Sequence, residues 1–219
     1  MDKLELIKAR HSVRQYKDLP IEQDKREVLQ SKINEINQNT GLNIQIFFDE
    51  PKCFDNFKAH YGKFSGVNNY ISLVGNKSKS LEETSGYYGE ELVLLAQELG
   101  LNTCWVALTH GKSKATINSG QKEVCIIALG YGETQGINRK SKKFLDVTEA
   151  CSDAPKWFKE GVEAALLAPT AINQQKFMFY MDGDEPKCKV KGIGSCTRID
   201  LGIVEYHFDA VTGKHTLNS

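Results

Sequence analysis

The chain has 219 residues, of which 40% are hydrophobic and 26% are charged. These values are typical of a globular protein that is large enough to bury a core. The 28 basic and 28 acidic residues cancel, which argues against nucleic acid or an anionic membrane as a partner. The first residues contain no apolar signal core, and no apolar run is long enough to cross a bilayer, so we predict a cytoplasmic protein.

The six cysteines form no C-x-x-C pair, and no histidine lies at zinc-ligand spacing from them. A disulfide framework and a zinc site are therefore disfavoured, and we predict no metal. Cys104 and Cys125 lie in apolar runs, where a thiol behaves as a small hydrophobic side chain. His207 also has apolar neighbours, which is more typical of a core histidine than of a catalyst.

The first part of the chain alternates between helical and extended patterns. Apolar spacing predicts helices over 2–9, 19–38 and 87–99, and strands over 43–48, 69–75, 100–106 and 123–129. The second helix should bury a stripe formed by Ile21, Val28, Leu29, Ile33 and Ile36 and should end at Gly41. The polar segment 51–65 is predicted to be a loop.

The last part of the chain has the same kinds of pattern. A helix is predicted from Trp157 to Leu166, with Asp153 placed to cap it and Pro155 in its first turn. Pro169 disfavours helical geometry at the preceding residue, so we expect a sharp turn there. Strands are then predicted over 176–181 and 189–193, and a helix over 199–208.

Three polar side chains, those of Thr170, Asn173 and Gln175, lie between this helix and the next strand. They would project hydroxyl and amide groups from one corner of the fold. On pattern alone an ordinary helix-to-strand loop is favoured, because these residue types are common in turns.

The sequence has two notable basic segments, of which the first is a candidate anion site. In Arg10-His11-Ser12-Val13-Arg14, two guanidiniums flank a hydroxyl and could bind a phosphate by charge-assisted hydrogen bonds. The alternative is that these basic residues only complement a helix C-terminus. Residues 139–143 form the one dense basic run, for which solvated surface is the default interpretation. Gly130 and Gly132 lack the spacing of a dinucleotide-binding loop.

Three segments resemble one known family. Residues 168–177 resemble the Ala-Pro-Ser-x-x-Asn-x-Gln-Pro-Trp motif of FMN-dependent nitroreductases, with Thr170, Lys176 and Phe177 in place of Ser, Pro and Trp. Residues 10–14 resemble the N-terminal Arg-x-Ser-x-Arg signature of that family. Residues 100–105 are similar to its Gly-Leu-Gly-Thr-x-Trp turn.

The resemblance implies a set of FMN-binding residues. Arg10 and Ser12 would bind the phosphate and ribityl chain, and Arg14 would approach the pyrimidine side of the flavin. Residues 106–108 would bring backbone amides to the N5 and O4 edge, and either Arg139 or Lys140 would complete the phosphate site. The full predicted set is Arg10, His11, Ser12, Arg14, Val106, Ala107, Leu108, Arg139, Lys140, Pro169, Thr170, Asn173 and Gln175.

The N-terminal Arg-x-Ser-x-Arg motif and the Ala-Pro-Thr motif at 168–170 lie about 150 residues apart. The order helix, turn, strand, strand, helix also occurs twice, with faint similarity between the corresponding residues. This layout resembles the putative TM nitroreductase branch. It implies an α+β, nitroreductase-like fold of two similar subdomains, 1–150 and 151–219, each with an antiparallel or mixed sheet flanked by helices. One intact flavin site would lie between the halves, in a monomer with pseudo-dimeric halves or in a homodimer.

The function implied is that of an FMN-dependent oxidoreductase. NADH or NADPH would reduce the flavin, and a small flat acceptor such as a nitroaromatic or a quinone would then take the hydride, without a catalytic side chain. Three alternatives remain open. They are a flavin- or nucleotide-binding sensor or carrier without turnover, an α+β interaction protein with a fossil motif, and a flavin-dependent reductive dehalogenase.

Overall fold

The computed structural model describes residues 2–149 and 154–217, which form two compact units. We call the unit formed by Arg10–Leu81 and Leu92–Asn138 the sheet unit. The helical unit is formed by Met1–Ala9, Glu82–Glu91 and Arg139–Ser219. Asp153, the predicted helix cap, lies outside the described residues, as does Cys151.

A four-stranded antiparallel sheet with the order β1-β2-β4-β3 forms the centre of the sheet unit. Its strands are β1 (Gln45–Phe47), β2 (Asn69–Asn76), β3 (Asn102–Val106) and β4 (Gln121–Gly130). β2 is buried along nearly its whole length, as is the second half of β4, and Ile71 pairs with Ile127. Both faces of these central strands are covered, so their sequences are continuous apolar runs.

Two helices lie wholly within the sheet unit, α2 (Gln23–Thr40) and α3 (Phe57–Tyr61). α2 ends where Gly41 adopts a φ of 71°, as its position predicted. Four residues of the predicted α2 stripe are buried, but Val28 is 43% exposed, so its assignment to the core was wrong. α3 lies in the predicted loop, where the Asn56 side chain caps it by accepting from the Ala59 N–H at 3.1 Å.

The helical unit contains α1 (Lys3–Ala9), α5 (Lys156–Ala165), α6 (Thr197–Thr212) and a hairpin of β5 (Phe177–Asp182) with β6 (Glu185–Val190). α6 is buried from Ile199 to Asp209 and contacts α1, α5 and both strands of the hairpin. The rings of Phe179 and Phe208 stack with centroids 4.8 Å apart. α6 is therefore the central element of this unit.

The first half of α4 (Leu81–Glu98) also belongs to the helical unit and crosses α6 at very short range. A Cβ added at Gly202 would lie 1.9 Å from the Glu83 carbonyl oxygen, and one at Gly86 would lie 2.1 Å from the Ile199 carbonyl oxygen. The two helix backbones are therefore in contact. Beyond the crossing, His207 Nε2 lies 2.8 Å from Glu90 Oε1 in the core, as expected of a structural histidine.

The predicted α+β class, with antiparallel sheets flanked by helices, is confirmed. The last strand was misplaced, because a turn at Gly183 (φ 61°) pairs β6 directly with β5 and leaves Ile193 95% exposed. The division into halves at residue 150 and the internal repeat remain predictions. Over residues 2–149 and 154–217, no helix is both long and apolar enough to cross a membrane.

Candidate functional site

Residues 170–175, which we call the motif turn, have an unusual backbone. Its residues Ile172, Asn173 and Gln175 have φ values of 47°, 57° and 45°. Left-handed backbone is costly for residues other than glycine, and most of all for a β-branched side chain. Ile172 is also 97% exposed, so burial of its side chain does not offset this strain. Other contacts must hold the turn.

Asp200, in the first turn of α6, provides two of these contacts. Its Oδ1 accepts from the Ala171 N–H at 2.9 Å, and its Oδ2 accepts from Gln174 Nε2 at 2.7 Å. Burial raises the pKa of Asp200 to about 6, against the effect of these two hydrogen bonds and of Arg139. Sequence reasoning missed this residue, although an acid inside the apolar run 199–204 was a usable signal.

A third contact closes the turn on itself, because the Gln175 N–H donates to Thr170 Oγ1 at 3.1 Å. The Gln175 side chain is 2% exposed and faces the protein interior. Its oxygen accepts from the Lys142 N–H at 2.7 Å, and its Nε2 donates to Ser141 Oγ and to the Leu166 carbonyl oxygen at 3.0 and 2.9 Å. The amide thus joins the basic run to the turn, and its contact with flavin remains a prediction.

Replacing Gln175 with leucine is expected to lower the free energy of unfolding by about 2 kcal/mol. The Lys142 N–H would lose its acceptor, and the Leu166 carbonyl oxygen would keep only the Ser141 hydroxyl as a donor. Urea denaturation would measure this loss. The matched control is Gln30→Leu on the exposed face of α2, where the amide donates only to Asn34 at 2.9 Å and we expect a change within about 0.5 kcal/mol. Equal effects of the two substitutions would contradict an internal role for Gln175.

Two cations of the basic run bind carbonyl oxygens around the motif turn. The Arg139 guanidinium donates to the carbonyl oxygens of Leu167 and Ala168, just beyond α5. Lys142 Nζ donates to the carbonyl oxygens of residues 174 and 175 at 3.0 and 2.7 Å. Arg139 thus complements the negative end of a helix. Of the two predicted phosphate ligands, Lys140 is the one with an exposed side chain.

Asn173 connects Lys140 to the turn and leaves one acceptor unused. Its Nδ2 donates to the Lys140 carbonyl oxygen at 2.8 Å, while its Oδ1 is buried and has no hydrogen-bond partner among the described residues. A buried acceptor without a donor is costly and uncommon. FMN carries donors of the required kind, the flavin N3–H and the ribityl hydroxyls, so this atom fits the cofactor.

In the sheet unit, residues 10–14 run beside β3. Val13 N donates to the Thr103 carbonyl oxygen at 3.0 Å, and Ser12 pairs with Thr103 in parallel. The pKa of the Cys104 thiol shows which groups lie near it. Burial raises this pKa, while the charge of Arg14, a hydrogen bond from Ser12 and the charge of Arg10 lower it. Strand pairing therefore brings two guanidiniums and one hydroxyl of the predicted set to the same place.

The other predicted residues of the sheet unit lie near this strand. Val106 ends β3 and is buried, Ala107 is half-buried, and Leu108 is 79% exposed. A Cβ added at Gly136 would lie 2.5 Å from the His11 Cβ. The backbone at Gly136 therefore packs tightly against His11. The remaining predicted residues are in the helical unit: Arg139, Lys140, Pro169, Thr170, Asn173 and Gln175.

Comparison with known families identifies the relationship. Residues 2–212 match the family model described as "Putative TM nitroreductase". The chain belongs to this family. The match spans nearly the whole sequence and confirms the resemblance found in the three short motifs.

Three solved structures share the fold of this chain. A protein described as a putative nitroreductase from Thermotoga maritima is 23% identical, with a TM-score of 0.71 over 96% of this chain and 83% of its own. A putative NADH dehydrogenase/NAD(P)H nitroreductase from Bacteroides thetaiotaomicron is 17% identical, with a TM-score of 0.52 over 66% and 95%. A nitroreductase-like family protein from Bacillus cereus is 18% identical, with a TM-score of 0.50 over 69% and 97%.

No curated protein gave a significant match. At identities of 17% to 23% the three structures establish the fold alone. The predicted nitroreductase-like fold is confirmed, and the family places the chain among nitroreductase-like oxidoreductases.

Proposed function

We propose that the chain is an FMN-dependent NAD(P)H oxidoreductase that works by a ping-pong mechanism on a flat acceptor such as a nitroaromatic or a quinone. The observation that carries the proposal is the buried, unpartnered Oδ1 of Asn173 in a strained turn at the motif position. Strained backbone of this kind is concentrated at ligand sites. The name of the Bacteroides thetaiotaomicron structure, which includes NAD(P)H nitroreductase, supports a nicotinamide donor.

Bound FMN would supply the hydride chemistry, and the protein would supply binding, orientation and charge. In the helical unit, Asn173 Oδ1 would accept a hydrogen bond from the cofactor. The hydroxyl oxygen of Thr170 already accepts from the Gln175 N–H, so its proton is available for donation. The exposed ammonium of Lys140 would neutralise phosphate charge.

In the sheet unit, Arg10 and Ser12 would bind phosphate or ribityl oxygens, and Arg14 would act on the ring. Arg14 is exposed and lies 5.8 Å from the centroid of the Phe64 ring. A fixed cation beside the pyrimidine edge would stabilise the negative charge that two-electron reduction adds to a flavin. The proposal therefore requires no side-chain nucleophile and no acid-base pair.

An anaerobic absorbance spectrum of the purified protein with added FMN tests the proposal. We expect bound oxidised flavin that bleaches on addition of NADH or NADPH and recovers when a quinone is added. Bound flavin that neither donor reduces would contradict turnover and favour a carrier or sensor. Absence of flavin binding would contradict the proposal as a whole.

Arg14→Ala is expected to weaken FMN binding about tenfold, the loss of one charge-assisted hydrogen bond. It should also lower the two-electron reduction potential of the bound flavin by about 30 mV, the equivalent of a tenfold change. Fluorescence titration and a dye-coupled redox titration would measure these two effects.

The control for this substitution is Arg26→Ala in the same unit. Arg26 also lies over an aromatic ring, that of Phe48 at 4.7 Å, and pairs with Asp49 at 2.8 Å on the surface. We expect this variant to bind FMN as the wild type does. Unchanged affinity and potential in Arg14→Ala would remove Arg14 from the site.

A further inference from the structure

We propose that Asp200 is a positioning residue for the cofactor: its carboxylate holds the motif turn in the conformation that binds FMN. This inference rests on the proposed function, because the contacts of the turn with flavin are themselves proposed. Asp200 belongs to α6 and lies outside the three sequence motifs. It would act through the turn and would not touch the flavin.

The two hydrogen bonds of Asp200 form a bracket around Ile172 and Asn173, two of the three strained residues of the turn. One carboxylate oxygen accepts from the Ala171 N–H at 2.9 Å, and the other accepts from Gln174 Nε2 at 2.7 Å. These donors lie immediately before and after Ile172 and Asn173, whose φ values are positive. A single side chain thus holds the turn on both sides of Ile172 and Asn173, and so positions the unpartnered oxygen of Asn173.

The bracket is anchored in a rigid part of the fold. Asp200 is 4% exposed, and its neighbour Gly202 lies at the close crossing of α6 with α4. The Gln174 amide also donates to the Ser195 carbonyl oxygen at 2.8 Å, which ties the turn to the segment before α6. Displacing the turn would therefore break contacts with a buried helix.

Both hydrogen bonds require acceptors, and an ionised carboxylate accepts at each oxygen. Protonation or replacement by an amide puts a donor on one of them. The structure shows a reason for Asp200 to protonate near neutrality, since burial raises its pKa to about 6 while the two hydrogen bonds and Arg139 lower it. The affinity for flavin should therefore fall as the pH falls through this value.

Among the described residues, the other titratable and charged groups around Asp200 lie on α6, on α4 and in the basic run. Cys196 at the start of α6 has its pKa raised by burial and by the charges of Asp200 and Glu82. From α4, Glu83 pairs with Arg198 at 3.1 Å. Arg139 is the cation of the basic run that acts on Asp200.

Asp200→Asn tests the inference, with Asp209→Asn as the matched control. Asp209 is a second buried carboxylate on α6, but its hydrogen bonds within the described part of the chain come from Thr216 and Tyr87, outside the turn. We expect Asp200→Asn to weaken FMN binding about 10- to 100-fold, the effect of losing one hydrogen bond to a charged group. Asp209→Asn should bind FMN as the wild type does.

Two further readouts separate positioning from general stability. In the protein without flavin, hydrogen exchange of the Ala171 amide should accelerate in Asp200→Asn and stay slow in Asp209→Asn. The second readout is the pH dependence of riboflavin binding. Riboflavin is used because it lacks the phosphate of FMN, whose second ionisation near pH 6 would itself make binding depend on pH. Wild-type affinity for riboflavin should decline from pH 7.5 to 5, and this decline should be absent in Asp200→Asn.

Gln174→Leu provides a second variant that leaves the buried charge in place. It removes one of the two hydrogen bonds and should weaken FMN binding by a smaller factor than Asp200→Asn. If the wild type binds FMN and both Asp200→Asn and Gln174→Leu bind it with the same affinity, the inference is overturned but the proposed function is not. The same holds if Asp209→Asn loses as much FMN affinity as Asp200→Asn. Absence of FMN binding by the wild type would overturn the proposed function and this inference with it.

Discussion

Replacing Gly202 with alanine is expected to lower the free energy of unfolding by about 3 kcal/mol, the upper range for overpacking a close contact. The new Cβ would lie 1.9 Å from the Glu83 carbonyl oxygen and 2.6 Å from the Tyr87 nitrogen. Both are backbone atoms of α4, so they cannot turn away as the end of a side chain can. The helix propensity of alanine favours the substitution by only about 1 kcal/mol.

Urea denaturation of the variant would measure this loss, and Gly75→Ala provides the contrast. A Cβ at Gly75 would meet side-chain ends, Leu81 Cδ1 at 2.5 Å and Leu42 Cδ2 at 2.9 Å, which can change rotamer. We expect this control to cost about 1 kcal/mol or less. If Gly202→Ala were as stable as the wild type, the α4–α6 crossing would be looser than its geometry indicates.

Elements with a strong repeating pattern could be predicted from the sequence. The central strands β2 and β4 are continuous apolar runs, and Gly41 marks the end of α2 with its left-handed backbone. α3 could not be predicted in this way, because five residues held by the Asn56 cap carry no periodic signal. Val28 fits the apolar pattern of α2 but lies toward solvent, since residue type alone does not fix the rotation of a helix.

For the candidate site, the sequence predicts residues but not the contacts between them. The motif identified Thr170, Asn173 and Gln175, and the structure places them in one turn. The motif alone does not reveal that Ser141 and Lys142 form hydrogen bonds with the side-chain amide of Gln175. Nor does it reveal that Asp200 accepts a hydrogen bond from the backbone of the turn. These partners are 26 to 34 positions away along the chain. Tertiary packing alone decides which of several polar residues is in reach.

Glu205 is expected to make the protein strongly sensitive to alkaline pH. It is fully buried in α6, and neither carboxylate oxygen has a hydrogen-bond partner among the described residues. Burial, with the nearby charges of Glu83 and Asp209, raises its pKa to about 10, against the opposing effect of Arg198. Glu205 is thus a neutral acid in the folded protein at pH 7 and a carboxylate in the unfolded chain.

The direction of the effect follows from the two protonation states. The contribution of Glu205 to stability is fully present below its ordinary pKa of 4.5 and is lost progressively as the pH rises toward about 10. At pH 7 Glu205 is ionised in the unfolded chain but not in the folded protein, so ionisation stabilises only the unfolded state. This difference amounts to about 3 kcal/mol.

Glu205→Gln removes the ionisable group and keeps the shape of the side chain. We expect it to match the wild type near pH 4.5 and to be about 3 kcal/mol more stable at pH 7, with the gap still widening at pH 8. Urea denaturation at these three pH values measures the gap. Glu205→Leu should give the same pH dependence, because no partner is lost with the carboxylate.

Asp209→Asn is the control for the loss of a buried charge on the same helix. Its carboxylate accepts from the Thr216 N–H and hydroxyl and from the Tyr87 hydroxyl, so replacement should destabilise the protein by disrupting these bonds. Parallel stability curves for the wild type and Glu205→Gln would mean that Glu205 ionises normally in the folded state. An ionised carboxylate without a partner is not stable in the protein interior. That result would therefore require a water molecule or a cation beside the buried Glu205 carboxylate.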